Sequence, residues 1–238
     1  MPTRNRYSRK QRKQLEKYFR FLSAVCVAGT LGSYYMFYDF HKGERFWRNN
    51  HMKQVFAYWE ITGADSLKQT IEWLLEDGHR EDYMEIHERL FALPRASRNA
   101  YVETAADDPD YINLAVVRNM MDQLPSGNIT GFSGGWVIHL SRIGQAYGYL
   151  TREEAWGLKI KAAELLHQAY DGWDEYLIGF AAGSHFRDGD HEIKELQYVR
   201  NQAMSLAGTR HIFRSARWRQ PLYPGEKQHI REQPQVSV

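Results

Sequence analysis

The sequence predicts an all-α fold: a single domain of roughly seven to nine short helices in an orthogonal or irregular bundle. Apolar residues recur at three- and four-residue intervals in one segment after another, as in Leu67, Ile71, Leu74 and Leu75, which is the spacing of one helical face. Many of those segments have capping residues before them and glycine or proline after them. No stretch alternates with a period of two between hairpin turns, so no strand is expected. At 238 residues and 43% hydrophobic composition, the chain is long enough to bury a sizeable core without metal or disulfide staples. Its single cysteine, Cys26, forms neither an intramolecular disulfide nor a cysteine-based zinc site. That fits a reducing compartment, with Cys26 as a small buried apolar residue.

The formal charge is only +2, yet residues 1–20 carry Arg4, Arg6, Arg9, Lys10, Arg12, Lys13, Lys17 and Arg20 against Glu16 alone. Residues 1–14 are therefore expected to be a flexible basic arm and residues 15–222 the folded domain. Residues 4–20 offer attraction to an anionic membrane surface. Nucleic acid is the weaker partner: Arg210, Arg214, Arg217 and Arg219 beside Phe213 and Trp218 suit phosphates, but the middle of the chain is near neutral. Residues 21–38 are uncharged and close to the shortest length that spans a bilayer. They form either a core helix against the Trp59 and Trp156 region or a single-pass inner-membrane anchor with a cytoplasmic N-terminus. Gly29, Thr30, Gly32, Ser33 and three tyrosines dilute the hydrophobicity, which favours the core helix and a cytoplasmic protein. No small-x-small cleavage site follows the stretch.

The remaining elements follow from their ends. Ser66 with Gln69 makes a capping-box pattern, and Gly78 suits a left-handed stop, giving a helix over about 66–77. A second helix carries Tyr83, Ile86, Leu90 and Phe91 and is ended by Pro94. Asp108-Pro109 supplies a cap with proline at the first helical position for a helix reaching Gln123. Residues 125–128 form a loop. The helix of Arg142 stops at Gly148, and Thr151 with Glu154 makes a second capping box for a helix reaching Tyr170. Trp173, Tyr176, Leu177, Phe180 and Ala181 continue at helical spacing, and a last helix spans about 190–206. Residues 223–238 are too poor in apolar groups to pack and are expected to be disordered.

Chemistry is sparse. His79, Tyr83 and His87 fall at i, i+4 and i+8, but histidines eight residues apart lie about 12 Å apart along a helix, too far to share one ion. His79 is assigned to hydrogen-bond the carbonyls at the preceding helix end. His185 to Glu192 is a dense polar cluster whose plainest reading is a solvated interhelical loop with Asp190 as a cap. Glu103, Asp107, Asp108 and Asp110 lack the register of a calcium loop. No phosphate-binding glycine loop, nucleophile elbow or His-Glu-x-x-His occurs. No metal and no cofactor are expected.

The most specific segment runs from Thr130 to Gly183. Arg142, Gly144, Gly148, Tyr149, Leu150, Glu153, Glu154, Ala155 and Trp156 are followed by Trp173, Tyr176, Phe180 and Gly183. An earlier block holds Trp59, Ile61, Leu67, Trp73, Leu74, Gly78 and His79. Both blocks resemble the bacterial family DUF1266, over about residues 59–220. The resemblance implies a helical fold and no agreed activity, and it favours residues 21–38 as an internal helix. Where family members usually carry Trp-Asp-x-x-Arg, this chain has Phe132, Ser133 and Trp136, so nothing resting on that Asp–Arg pair carries over.

The resemblance and the turn at Gly148 single out Arg142, Glu153, Glu154, Trp156, Trp173 and Tyr176. Arg142 is expected to fork onto Glu153 or Glu154 as an interhelical salt bridge, or the six residues wall a groove for a ligand or partner. The favoured function is a non-catalytic protein-interaction module with an unidentified protein partner. The alternatives are an enzyme using Arg142, Glu153 and Glu154 as its polar centre, and a membrane-anchored interaction domain.

Overall fold

The computed structural model describes residues 3–27, 38–40, 45–124, 128–189 and 217–226. Among the described residues all regular structure is helical: nine α-helices with two 3-10 turns, and no strand.

Helix α1 (Arg9–Ser23) opens on a capping box. The Gln11 N–H donates to Ser8 Oγ at 3.2 Å, and the Ser8 N–H donates to Gln11 Oε1 at 3.3 Å. Leu15, Tyr18, Phe19 and Leu22 form its buried stripe. This moves the expected boundary of the basic arm, since residues 9–14 are the first turns of a packed helix. Tyr7, 3% exposed, donates its hydroxyl to the Leu222 carbonyl at 2.9 Å. The basic residues conceal the helix because they fall between the apolar positions, on its other side. α1 ends at Ser23 and passes into a 3-10 turn, Ala24–Cys26, so no helix starts at Phe21. Phe21 and Leu22 are buried; the predicted element's residues 28–37 lie outside the described residues. No helix among the described residues is long and apolar enough to cross a membrane.

Then come α2 (Arg45–Tyr58), α3 (Ala64–Glu76), α4 (Arg80–Phe91), α5 (Arg95–Thr104), α6 (Tyr111–Met120), α7 (Thr130–Tyr147), α8 (Arg152–Ala169) and α9 (Trp173–Asp188). α3 starts two residues before the expected Ser66. Ser66 stands in its first turn, where its Oγ accepts the N–H groups of Thr62 and Gly63 at 3.0 Å. The role assigned to His79 belongs to its neighbour. The Arg80 guanidinium donates to the carbonyls of Leu74, Leu75 and Glu76 at 3.3, 3.0 and 2.5 Å, satisfying the end of α3. His79 itself adopts φ 68 and donates its N–H to Asp77 Oδ2. A longer, forked donor reaches back over a turn that the left-handed backbone of Gly78 and His79 has reversed.

Helix α5, not anticipated, begins directly after Pro94. Asp108 does not cap α6, which begins at Tyr111. Its Oδ1 instead accepts the Asp110 N–H at 2.8 Å, one turn earlier. α9 runs through His185 to Asp188 and stops at Gly189, φ 63, so the expected loop is in part the end of a helix with His185 and Phe186 buried. The predicted helix 190–206 and tail residues 227–238 lie outside the described residues.

The core is organised on α7, in which every residue from Thr130 to Gly144 is buried. α8, α9, α3 and α1 all pack on it. The α7–α9 crossing depends on glycine: a Cβ on Gly131 would lie 2.7 Å from the Phe180 nitrogen and 2.8 Å from the Tyr176 carbonyl oxygen. α7 stops at Gly148, φ 85. α8 opens on the expected box, with the Thr151 N–H donating to Glu154 Oε2 at 2.8 Å and the Glu154 N–H to Thr151 Oγ1 at 3.2 Å. Trp59, Leu74, Ile143, Trp156 and Phe180 share one buried cluster, which reaches from Tyr7 to Leu222, and Trp173 packs against it.

Candidate functional site

The structure distributes the six singled-out residues over three places. Arg142 is 7% exposed, and its guanidinium donates to Ser23 Oγ at 2.6 Å and to the Tyr38 carbonyl at 3.4 Å. It lies 4.8 Å from the centre of the Phe40 ring. Burial lowers its pKa to about 10, against the favourable field of the Asp39 carboxylate. Asp39 accepts from Arg20 at 3.0 Å. The expected pairing of Arg142 with Glu153 or Glu154 is therefore not the one formed. Arg142 sits on the side of α7 that meets the end of α1, whereas the first turn of α8 faces solvent beside α3. A tight turn brings two helices together without giving their side chains a common direction.

Next to Arg142 lies a pair that sequence reasoning missed. His51 of α2 and His139 of α7 face each other with Nε2 atoms 3.2 Å apart. The Phe40 ring packs on both, at centroid distances of 5.9 and 5.6 Å. At that separation one Nε2 donates and the other accepts, so the bonded pair carries a single proton between the two facing nitrogens. Burial, reinforced by the Arg142 cation, lowers the His51 pKa to about 4. Burial, the neighbouring His51 and Arg142 push His139 well below its ordinary value. The only sequence signal was His139 three residues before Arg142, on one helical face. Among the described residues no group of three His, Cys, Asp or Glu side chains comes together as a metal site.

Glu153 and Glu154 border a groove between α3 and α8, with a volume of about 400 Å³. Ile71, Leu75, Leu150 and Leu158 give it an apolar floor, and Lys68, Glu72, Glu153, Glu154 and Lys161 a charged rim. Glu154 accepts from Lys68 Nζ at 2.8 Å across the groove and from the Thr151 hydroxyl at 2.7 Å. These bonds, the Lys68 one foremost, hold its pKa down to about 2. Such a carboxylate is a poor acid and a weak base at neutral pH. Glu153 Oε2 accepts the main-chain N–H of Arg4 at 2.7 Å, and Thr3 closes the same end of the groove.

Trp156, Trp173 and Tyr176 belong to the interior. Trp156 is 1% exposed and meets Tyr7 and Phe19 edge-on at 5.0 and 5.7 Å. Beneath it the buried Lys159 ammonium reaches both oxygens of Glu16, at 3.0 and 2.8 Å. Tyr176 donates its hydroxyl to the Leu22 carbonyl. Trp173 packs edge-on against Trp218 at 5.0 Å. These rings tie α1, α8, α9 and the C-terminal segment together, and none of them lines the groove.

A family model matches residues 55–218. The chain belongs to DUF1266, a family described as protein of unknown function. The match spans α3 to α9 and thus takes in the groove, Arg142 and His139, while α1 and His51 precede it. No curated protein matches the chain, and no solved structure does.

Proposed function

We propose that this DUF1266 chain is a non-catalytic interaction module that receives an extended peptide segment of a protein partner in the groove between α3 and α8. One observation carries the reading: the rim carboxylate Glu153 already accepts a main-chain N–H, that of Arg4, at the mouth of an apolar-floored groove. The groove thus has, side by side, the two groups that peptide recognition needs: an acceptor for a backbone donor and an aliphatic recess for one or two side chains. The same geometry weakens the enzymatic alternative, since Arg142 is buried away from the carboxylates and Glu154 is locked in an ion pair.

A photo-reactive residue at exposed Glu72, on the rim, tests the proposal in cells making the protein at native level. The expected result is a discrete cross-linked protein that disappears when Leu158→Glu puts a charge on the groove floor, with the unfolding midpoint unchanged. Cross-links that Leu158→Glu leaves intact would place the partner elsewhere and overturn the reading.

A further inference from the structure

The described residues hold one strongly charged surface that neither the groove nor the core uses. Along α1 the side chains of Arg9, Lys10, Lys13 and Lys17 are all exposed. Arg9, Lys13 and Lys17 stand one above another at i, i+4 and i+8, a row of about 12 Å, with Lys10 beside it. Among the described residues none of the four forms an ion pair with a carboxylate. Glu16, the one acidic residue of the helix, is turned inward onto Lys159. The opposite side of α1, with Leu15, Tyr18, Phe19 and Leu22, is already buried in the core. The helix is thus held rigidly and presents cations only.

We propose that this face of α1 docks the protein reversibly on an anionic phospholipid surface. Charge complementarity selects a polyanion, and the details favour a bilayer over a nucleic acid. Three of the four charges are lysines, compact point charges that suit a diffuse layer of headgroups and lack the planar fork with which arginine reads guanine edges. The large exposed apolar side chains among the described residues are Tyr38, Tyr58, Phe91 and Tyr147; none lies on α1, so its basic face has no platform for stacking bases. The row is a single convex helix, suited to a planar surface. Because the apolar side of α1 is spent on the core, the attachment is electrostatic without insertion, and salt releases it.

Sedimentation of the full chain with lipid vesicles tests this. Vesicles with about 30% phosphatidylserine in phosphatidylcholine should retain the protein at about 0.05 M salt and release it at about 0.5 M, and pure phosphatidylcholine should not retain it. Each positive charge removed should weaken retention about fivefold, so the triple variant K10Q/K13Q/K17Q should bind about a hundredfold less tightly. Its circular dichroism and melting temperature should match the parent, because these side chains touch no core residue except that Lys17 lies over the Phe21 ring. The proposal falls if neutral vesicles retain the protein equally, or if the triple variant binds within about threefold of the parent. It also falls if duplex DNA at equal phosphate concentration retains the chain more strongly than the vesicles do.

Discussion

Mild acid should unfold this protein, and the His51–His139 pair gives the reason and the size. Both imidazoles are held neutral in the folded state by burial and by the Arg142 cation, so their folded pKa values lie below the ordinary 6.5. Below pH 6.5 the unfolded chain therefore binds more protons than the folded one. The stabilisation from the neutral pair is complete above that pH and is lost as the pH falls toward the folded value, about 4 for His51. At pH 5 each histidine lies about 1.5 units below its unfolded pKa, which costs about 2 kcal/mol apiece, or about 4 kcal/mol for the pair. A total stability of about 5–15 kcal/mol makes that a large fraction, and for a chain of this size it corresponds to a fall in melting temperature of about 10 °C.

Melting curves by circular dichroism at about pH 7.5 and pH 5, at constant ionic strength, measure the effect. His51→Gln removes one of the two groups and should roughly halve the acid-induced fall. His167, whose pKa burial lowers to about 4, contributes in the same direction in parent and variant alike. An equal fall in parent and His51→Gln would refute the assignment to the pair. So would a melting temperature that does not change between the two pH values.

Other expectations follow from the same packing. Arg142→Met removes the cation that faces both imidazoles, so the gap between the melting temperatures at the two pH values should narrow; an unchanged gap would show that Arg142 does not set their charge state. Gly131→Ala forces a methyl group against the α9 backbone and should cost about 1–3 kcal/mol in denaturant unfolding, whereas an unshifted midpoint would mean that the helices do not touch there. For the buried ion pair the order of the two single substitutions is informative. Glu16→Gln strands the 2%-exposed Lys159 ammonium and should cost about 3–5 kcal/mol. Lys159→Met leaves only the 27%-exposed Glu16 carboxylate and should cost less; the reverse order would contradict the geometry.

What the sequence made legible was local. The Thr151–Glu154 box, the stop at Gly148 and the stripe of Leu67, Ile71 and Leu74 each depend on residues within one or two turns, and each appears as expected. The errors occur where a second, distant residue decides. Arg80 rather than His79 closes α3 because reach over a reversed turn, not adjacency, selects the donor. α1 went unread because its eight flanking charges outweighed Ser8 and Gln11, although these two residues have the same spacing as the box that was recognised at α8. The His51–His139 bond joins residues 88 positions apart, and no local spacing encodes such a meeting.

Arg142 shows how this bears on function. Family-like spacing placed it with Glu153, Glu154, Trp156, Trp173 and Tyr176, and that spacing records membership in a fold without recording which way each side chain points. α7 is buried on all sides, so a cation on it has to find its partners in the interior. The first turn of α8 is solvated, so its carboxylates are left to cap the helix, pair with Lys68 and border the groove. Burial therefore separates one sequence cluster into a titratable interior, which makes stability depend on pH, and an exterior rim suited to a partner. Substitutions at Arg142 and His139 should be read through stability and its pH dependence. Substitutions at Glu153 and Leu158 should be read through binding, and a change at Leu158 that shifted the melting curve while leaving cross-linking at Glu72 intact would break that division.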